Sequence, residues 1–153
     1  MLELESTSPE ETERIAGALA RELRPGDVVT VAGELGAGKT TFVRGAARAL
    51  GIVAPVTSPT YTVGHRYAGP PDVSHLDLYR FESMAAPDWA DLEPYFDDAV
   101  VFVEWPEAGA GWLPAPKAEV RLRHLGEGHR LVMLESTQKS LEIRLSSGAG
   151  PRV

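Results

Sequence analysis

The sequence predicts a single α/β domain built on a central mixed sheet, with few helices and a C-terminal antiparallel hairpin. Three observations carry that expectation. Two short apolar runs rich in β-branched residues, Val28 to Ala32 and Ala99 to Val103, have the composition of strands buried on both faces. The first runs at once into a glycine-rich turn and then into a segment of helical periodicity. Near the end, two alternating segments flank Gly126 and Gly128, the pattern of a hairpin. A length of 153 residues suits one domain spanning residues 1–153. A chain this size can bury about two-thirds of its unfolded surface, so it needs no staples.

The elements follow in order. Ser8-Pro9-Glu10-Glu11 reads as a capping box with proline at the first helical position. Ile15, Ala16, Leu19, Ala20 and Leu23 then share one helical face, and Pro25-Gly26 stops the helix. After the strand at 28–32 and the turn Gly33 to Gly38, a helix is expected over Thr40 to Leu50. Val43, Ala46, Ala47 and Leu50 face inward, and Gly51 is suited to end it. Ala54 to Pro71 holds four prolines and reads as loop, with Thr60 to Val63 a possible short strand inside it. Ser74 to Phe81 alternates as a strand, and Pro87 to Tyr95 reads as a short helix with turns. Ala99 to Val103 is the best strand in the chain, and Gly109 to Pro116 is loop. Val120 to Arg123 and His129 to Leu134 form the hairpin arms. Leu141 to Leu145 suits a last strand or a short helix, and residues 146–153 read as a frayed tail.

Composition removes several classes of function. The chain has no cysteine, which excludes disulfide scaffolds, thiolate zinc sites and cysteine nucleophiles. Its N-terminus, Met1-Leu2-Glu3-Leu4-Glu5, lacks the basic-then-apolar order of a signal peptide. No apolar run approaches the roughly 20 residues that cross a bilayer. A soluble, cytoplasmic protein with no membrane partner is expected. The net charge of −7 argues against tight, direct binding to a nucleic-acid backbone, that of DNA included, because such a footprint is cationic. Asparagine is absent and Gln138 is the single glutamine, a bias that suits a thermophile or a GC-rich genome alike.

The chemistry concentrates in Gly33-Glu34-Leu35-Gly36-Ala37-Gly38-Lys39-Thr40, which fits G-x-x-x-x-G-K-[ST] between a strand and a helix. Its glycines permit positive φ and close approach of backbone to phosphate. Successive N–H groups form an anion nest, and the helix that opens near Lys39 adds its positive end. Lys39 is placed to bridge β- and γ-phosphates, and the Thr40 hydroxyl to ligate Mg²⁺. A chance match is expected in fewer than about one chain of this length in a hundred. A second metal-side acid is needed at the end of a buried strand, and Glu104 follows four apolar residues there, although a solvated glutamate at a strand end is common.

Other positions stay open on residues alone. His75 and Asp77 lie two apart and share a strand face. Their pairing suits a transition-metal site poorly, for want of a third ligand, and better places Asp77 near the γ-phosphate. Arg80 suits either transition-state neutralisation or a plain ion pair. Thr57-Ser58-Pro59-Thr60 is either a γ-phosphate-sensing switch or a Ser-Pro turn. Trp105 leaves the strand directly after Glu104. It either packs in the core, the common fate of tryptophan, or faces a partner beside the nucleotide. Since Val101 and Val103 already supply the strand's core residues, and Pro106 turns the chain outward, the second fate is favoured. Guanine-specific P-loop proteins use Asn-Lys-x-Asp, which a chain without asparagine cannot contain, so ATP is favoured over GTP.

Four motifs taken together resemble one family. Gly33 to Phe42, then Ser58-Pro59-Thr60-Tyr61-Thr62, then His75-Leu76-Asp77-Leu78-Tyr79-Arg80, then Val103-Glu104-Trp105-Pro106 are similar, in order and approximate spacing, to the TsaE family. These are small bacterial ATPases of tRNA threonylcarbamoyladenosine modification. The resemblance runs from about residue 6 to about residue 135 and includes Glu10-Glu11-Thr12 and Arg130. It implies a P-loop fold with few helices, ATP held along residues 33–41 (Thr41 included), and Mg²⁺ held by Thr40 and Glu104. It implies Lys39, Asp77 and Glu104 as catalytic residues and a need for Trp105. An adenine contact near Ser8 and a nucleotide contact at Arg130 follow from it, as do switch or partner roles for Ser58, Thr60, Tyr79 and Arg80. It implies TsaD-like and TsaB-like partners that modify adenosine 37 of ANN-reading tRNAs, with slow ATP hydrolysis resetting the complex and tRNA met only through it. The segment Phe81 to Trp89 departs from the usual acidic, leucine-rich family pattern.

Two other classes compete. A small-molecule P-loop kinase needs an arginine-rich lid, and Trp105 to Lys117 contains no arginine. A nucleotide-gated interaction protein needs no turnover.

Overall fold

The computed structural model describes residues 1–34, 36–58 and 63–148. Eleven regular elements follow in chain order: β1 (Leu2–Ser6), α1 (Pro9–Ala20), β2 (Val28–Ala32), α2 (Lys39–Ala49), β3 (Gly64–Tyr67), β4 (Asp72–Asp77), α3 (Ala86–Leu92), β5 (Ala99–Glu104), β6 (Ala118–Gly126), β7 (His129–Ser136) and α4 (Lys139–Gly148). Short 3₁₀ turns lie at Glu93–Phe96 and Pro106–Gly109. The strands form one mixed sheet in the order β1-β7-β6-β2-β5-β4-β3. Its centre is parallel, with β2 between β5 and β6 and β4 beyond β5. Both edges are antiparallel, β1 on β7 and β3 on β4.

Burial explains why the centre is parallel. Every residue of β2 and of β5 is buried, as strands covered on both faces require. One face carries Val29, Val31, Phe102, Val120 and Val132 against Ile15 and Leu19 of α1 and Phe42, Val43 and Ala46 of α2. The other carries Val28, Leu76, Val101 and Val103 against Leu92 of α3. β6 alternates buried and exposed residues, because beyond β2 only one face of the sheet is covered.

The start of α1 shows the local logic. Ser8 Oγ accepts the Glu11 N–H at 3.1 Å, and Pro9 occupies the first turn. The Glu11 carboxylate accepts the N–H of Thr7 at 2.8 Å instead of that of Ser8, so the capping box is displaced by one residue. At the other end of the chain, Glu142 of α4 accepts the Ser136 N–H at 2.8 Å and lies 3.2 Å from the α-amino group of Met1. Burial pushes its carboxyl up. The hydrogen bonds from Ser136, the terminal amine and Lys139 outweigh this and hold it below the usual range.

The mixed sheet, the few helices and the C-terminal hairpin agree with expectation; the bounds of β4 and the start of the tail need correction. Of the possible strand over Thr60 to Val63, residues 60–62 lie outside the described residues; Val63 directly precedes β3, whose pairing to β4 satisfies the backbone. β4 starts earlier and ends sooner than Ser74 to Phe81, because Asp77 is the last residue paired to β5 and Leu78 enters a turn. Leu141 to Leu145 takes the helical of its two expected forms, with Leu141 and Leu145 packed into the main core. That helix runs to Gly148, so residues 146–148 are helical where fraying was expected; residues 149–153 lie outside the described residues. β1 was not anticipated at all.

Candidate functional site

Parallel strands aim their C-terminal ends the same way, and the polar residues gather there. The chain leaves β2 at Ala32, crosses the glycine-rich turn and enters α2 at Lys39. Gly38 caps α2 in the left-handed region at φ 96°, a conformation costly for any residue with a Cβ. No side chain caps this helix and its first turn holds no acid, so its leading N–H groups open onto the cavity beside them. A Cβ at Gly33 would meet the Leu122 carbonyl at 2.6 Å, so only glycine lets the loop pass so close to β6.

The cavity has a volume of about 380 Å³ and is walled by Lys39, Thr40, Asp77, Glu104, Trp105 and Arg130 among others. Lys39 Nζ donates to the carbonyls of Gly33 at 2.7 Å and Glu34 at 2.8 Å. It also lies 4.4 Å from the centroid of the Trp105 ring. Burial pushes its ammonium down, against the pull of Glu104 and Asp77, which raise it. The Thr40 hydroxyl donates to Glu104 Oε2 at 3.3 Å, joining the two expected metal-holding groups. Asp77 lies beside Glu104 in the strand register. Its carboxylate accepts from Ser58 Oγ at 3.2 Å and from the Tyr79 N–H at 3.0 Å. Ser58 of the proposed switch therefore reaches the site.

Arg130 of β7 braces the loop, donating to Ala37 O and Gly36 O at 3.1 Å each. It also separates the main cavity from a narrow cleft of about 60 Å³ lined by Ser8, Thr12, Gly38, Thr41 and Gly128. Ser8 thus lies beside the loop, with its hydroxyl engaged by the N–H of Glu11. Trp105 is neither a fully buried core residue nor clear of the core. It is half-buried against the second core, its ring lies tilted by 50° at 4.9 Å from that of Tyr79, and it faces Lys39. Tyr79 is exposed and lines the cavity; Arg80 is exposed and does not line it. Leu35 and Thr60 lie outside the described residues.

Among the described residues no group of three or more His, Asp or Glu side chains could hold a metal ion by itself. His75 Nε2 is joined to Glu104 Oε2. One hydroxyl and one carboxylate match Mg²⁺, which keeps several waters and shares substrate phosphates. A cavity of about 390 Å³ also opens on the bare sheet face by Thr30, Glu119 and Arg121, but it has no phosphate-binding loop. Chemistry, not size, picks out the site. Sequence reasoning missed the packing of Trp105 over Lys39, and the partner of His75, which is Glu104.

A glycine loop running from a buried parallel strand into an uncapped helix, with an acid at the end of the next strand, defines a P-loop protein. The sequence pattern of one family, described as threonylcarbamoyl adenosine biosynthesis protein TsaE, matches residues 6–132. The chain belongs to the TsaE family. It is 35% identical over 144 residues to the tRNA threonylcarbamoyladenosine biosynthesis protein TsaE of Bacillus subtilis, covering 93% of this chain and 90% of that one. It is 38% identical over 128 residues to the same-named protein of Treponema pallidum, covering 82% and 93%. The crystal structure of YdiB from Bacillus subtilis superposes with a TM-score of 0.77 at 32% identity, covering 95% of this chain and 92% of that one. No helix among the described residues is long and apolar enough to cross a membrane.

Proposed function

We propose that the chain is a Mg²⁺-dependent ATPase subunit of cytoplasmic tRNA modification. It binds ATP and hydrolyses it slowly, supporting turnover of a TsaB–TsaD-like complex that forms N6-threonylcarbamoyladenosine at position 37 of ANN-reading tRNAs. One observation carries the reading: Lys39, Thr40, Asp77 and Glu104 meet in one cavity beside an uncapped helix N-terminus. The loop N–H groups and Lys39 take the β- and γ-phosphates, and Thr40 and Glu104 hold the metal. Bound Mg²⁺ neutralises charge that develops on the transferring phosphoryl group. Asp77, held by Ser58 and Tyr79, is placed to orient the attacking water. The net charge of −7 supports contact with tRNA through partners.

The test is hydrolysis and ADP affinity in Thr40→Ala and Glu104→Ala. Metal ligands matter most in the transition state, so each variant should lose far more hydrolysis than ADP binding. Wild-type hydrolysis in Glu104→Ala would remove Glu104 from the mechanism and move the role to Asp77. Hydrolysis by purified wild-type protein, with and without the partner proteins, separates an ATPase from a nucleotide-gated binder.

A further inference from the structure

His75 is fully buried in β4, two residues before Asp77 and in register with Phe102 of β5. Its Nε2 lies 2.5 Å from Glu104 Oε2, and its Nδ1 is buried with no hydrogen-bond partner among the described residues. A carboxylate oxygen facing Nε2 can only accept, so the ring proton sits on Nε2. The unpartnered Nδ1 is then a cost to stability, which a leucine here would avoid. A histidine serving only to fill the core has no use for that cost.

The same Oε2 also accepts from Thr40, so two donors converge on one oxygen of Glu104. Oε1 carries no hydrogen bond among the described residues, and Glu104 lines the main cavity. The side chain therefore has one oxygen tied down and one available. We propose that His75 is a positioning residue for Glu104: its Nε2–H fixes the carboxylate rotamer and leaves Oε1 free to take the metal of a Mg²⁺-nucleotide. This rests on Glu104 being a metal-holding acid. Donors behind a ligand typically change metal affinity by about 10–100-fold when removed.

The experiment is calorimetry of ADP binding, with Mg²⁺ titrated and with chelator, on wild type, His75→Leu and His75→Gln. The leucine variant should need about tenfold more Mg²⁺ for the same gain in affinity, while its chelator-treated affinity stays at the wild-type value. The glutamine variant, whose amide can donate where Nε2 did, should recover most of the loss. Imidazole ¹⁵N NMR of the wild type should place the proton on Nε2. A leucine variant with wild-type Mg²⁺ response, or a proton on Nδ1, overturns the role of His75 alone. Wild-type ADP binding indifferent to Mg²⁺ overturns the metal reading of Glu104 and this inference together. If the leucine variant does not fold, the tautomer decides: a proton on Nε2 supports the role and one on Nδ1 overturns it.

Discussion

Lys39 has two sets of partners, and that decides what its loss should do. It ties two carbonyls of its own loop together and faces the cavity under Trp105. Hydrogen bonds to charged groups contribute about 1.5–3 kcal/mol, so Lys39→Ala should weaken ATP binding by roughly 10–150-fold in calorimetry. Trp105 is the other residue whose backbone matters. Its φ of 56° places a bulky side chain in the left-handed region, which costs about 1–2 kcal/mol for a residue other than glycine. Trp105→Gly and Trp105→Ala lose the same ring, yet the glycine variant should be about 1 kcal/mol more stable in urea unfolding. Equal stability would mean the backbone relaxes once the ring is gone. Residue identities in the loop were legible in the sequence because the motif is local. The His75–Glu104 contact was not, because it depends on β4 and β5 lying side by side in parallel register, which neither segment specifies alone.

Pairs of elements set tighter limits than single ones. α1 and α2 cross where Gly45 faces Glu13, and a Cβ at Gly45 would press on Glu13 Cα and lie 2.5 Å from its carbonyl oxygen. Glu13 also pairs with Arg48 one turn further along α2, at 2.8 Å. Gly45→Ala raises helix propensity but forces the helices apart, so it should destabilise by about 1–3 kcal/mol, read as a lower urea midpoint with unchanged slope. A stabilised variant would show that the crossing can slide. Phe81 to Trp89, the segment that departs from the family pattern, is accounted for at this scale. Phe81, Met84 and Trp89 pack on the second core, and the Trp112 Nε1–H donates to Met84 O at 3.1 Å. Helices and the hairpin were readable from periodicity. β1 was missed although Leu2-Glu3-Leu4-Glu5 alternates as a strand, because so short a run stands at a sheet edge and its partners lie at 130–134.

The two ends of the molecule meet, and the meeting is titratable. Glu142 joins the Met1 amine and Lys139 to the start of α4, with its carboxyl held below the usual value of 4.5. A carboxylate depressed in the folded state adds stability above its unfolded pKa and loses it as pH falls through the folded one. Glu142→Gln keeps an acceptor for the Ser136 N–H and removes only the charge. The wild type should therefore be more stable at pH 7, with the gap narrowing as pH falls below 4.5 and through the lower folded value, in urea unfolding across that range. A gap unchanged at acid pH would assign the difference to packing. The strand order has a different consequence, in the time of synthesis. Val28 waits for Val101 and Val29 for Ala118, and Leu2 has no partner until Leu134 exists. A chain emerging from the ribosome therefore carries its glycine loop on a strand bare along both edges until residue 101 has been made. The arginine that braces the loop is added later still. A chain cut short of residue 130 therefore carries the glycine motif without the side chain that holds it in shape.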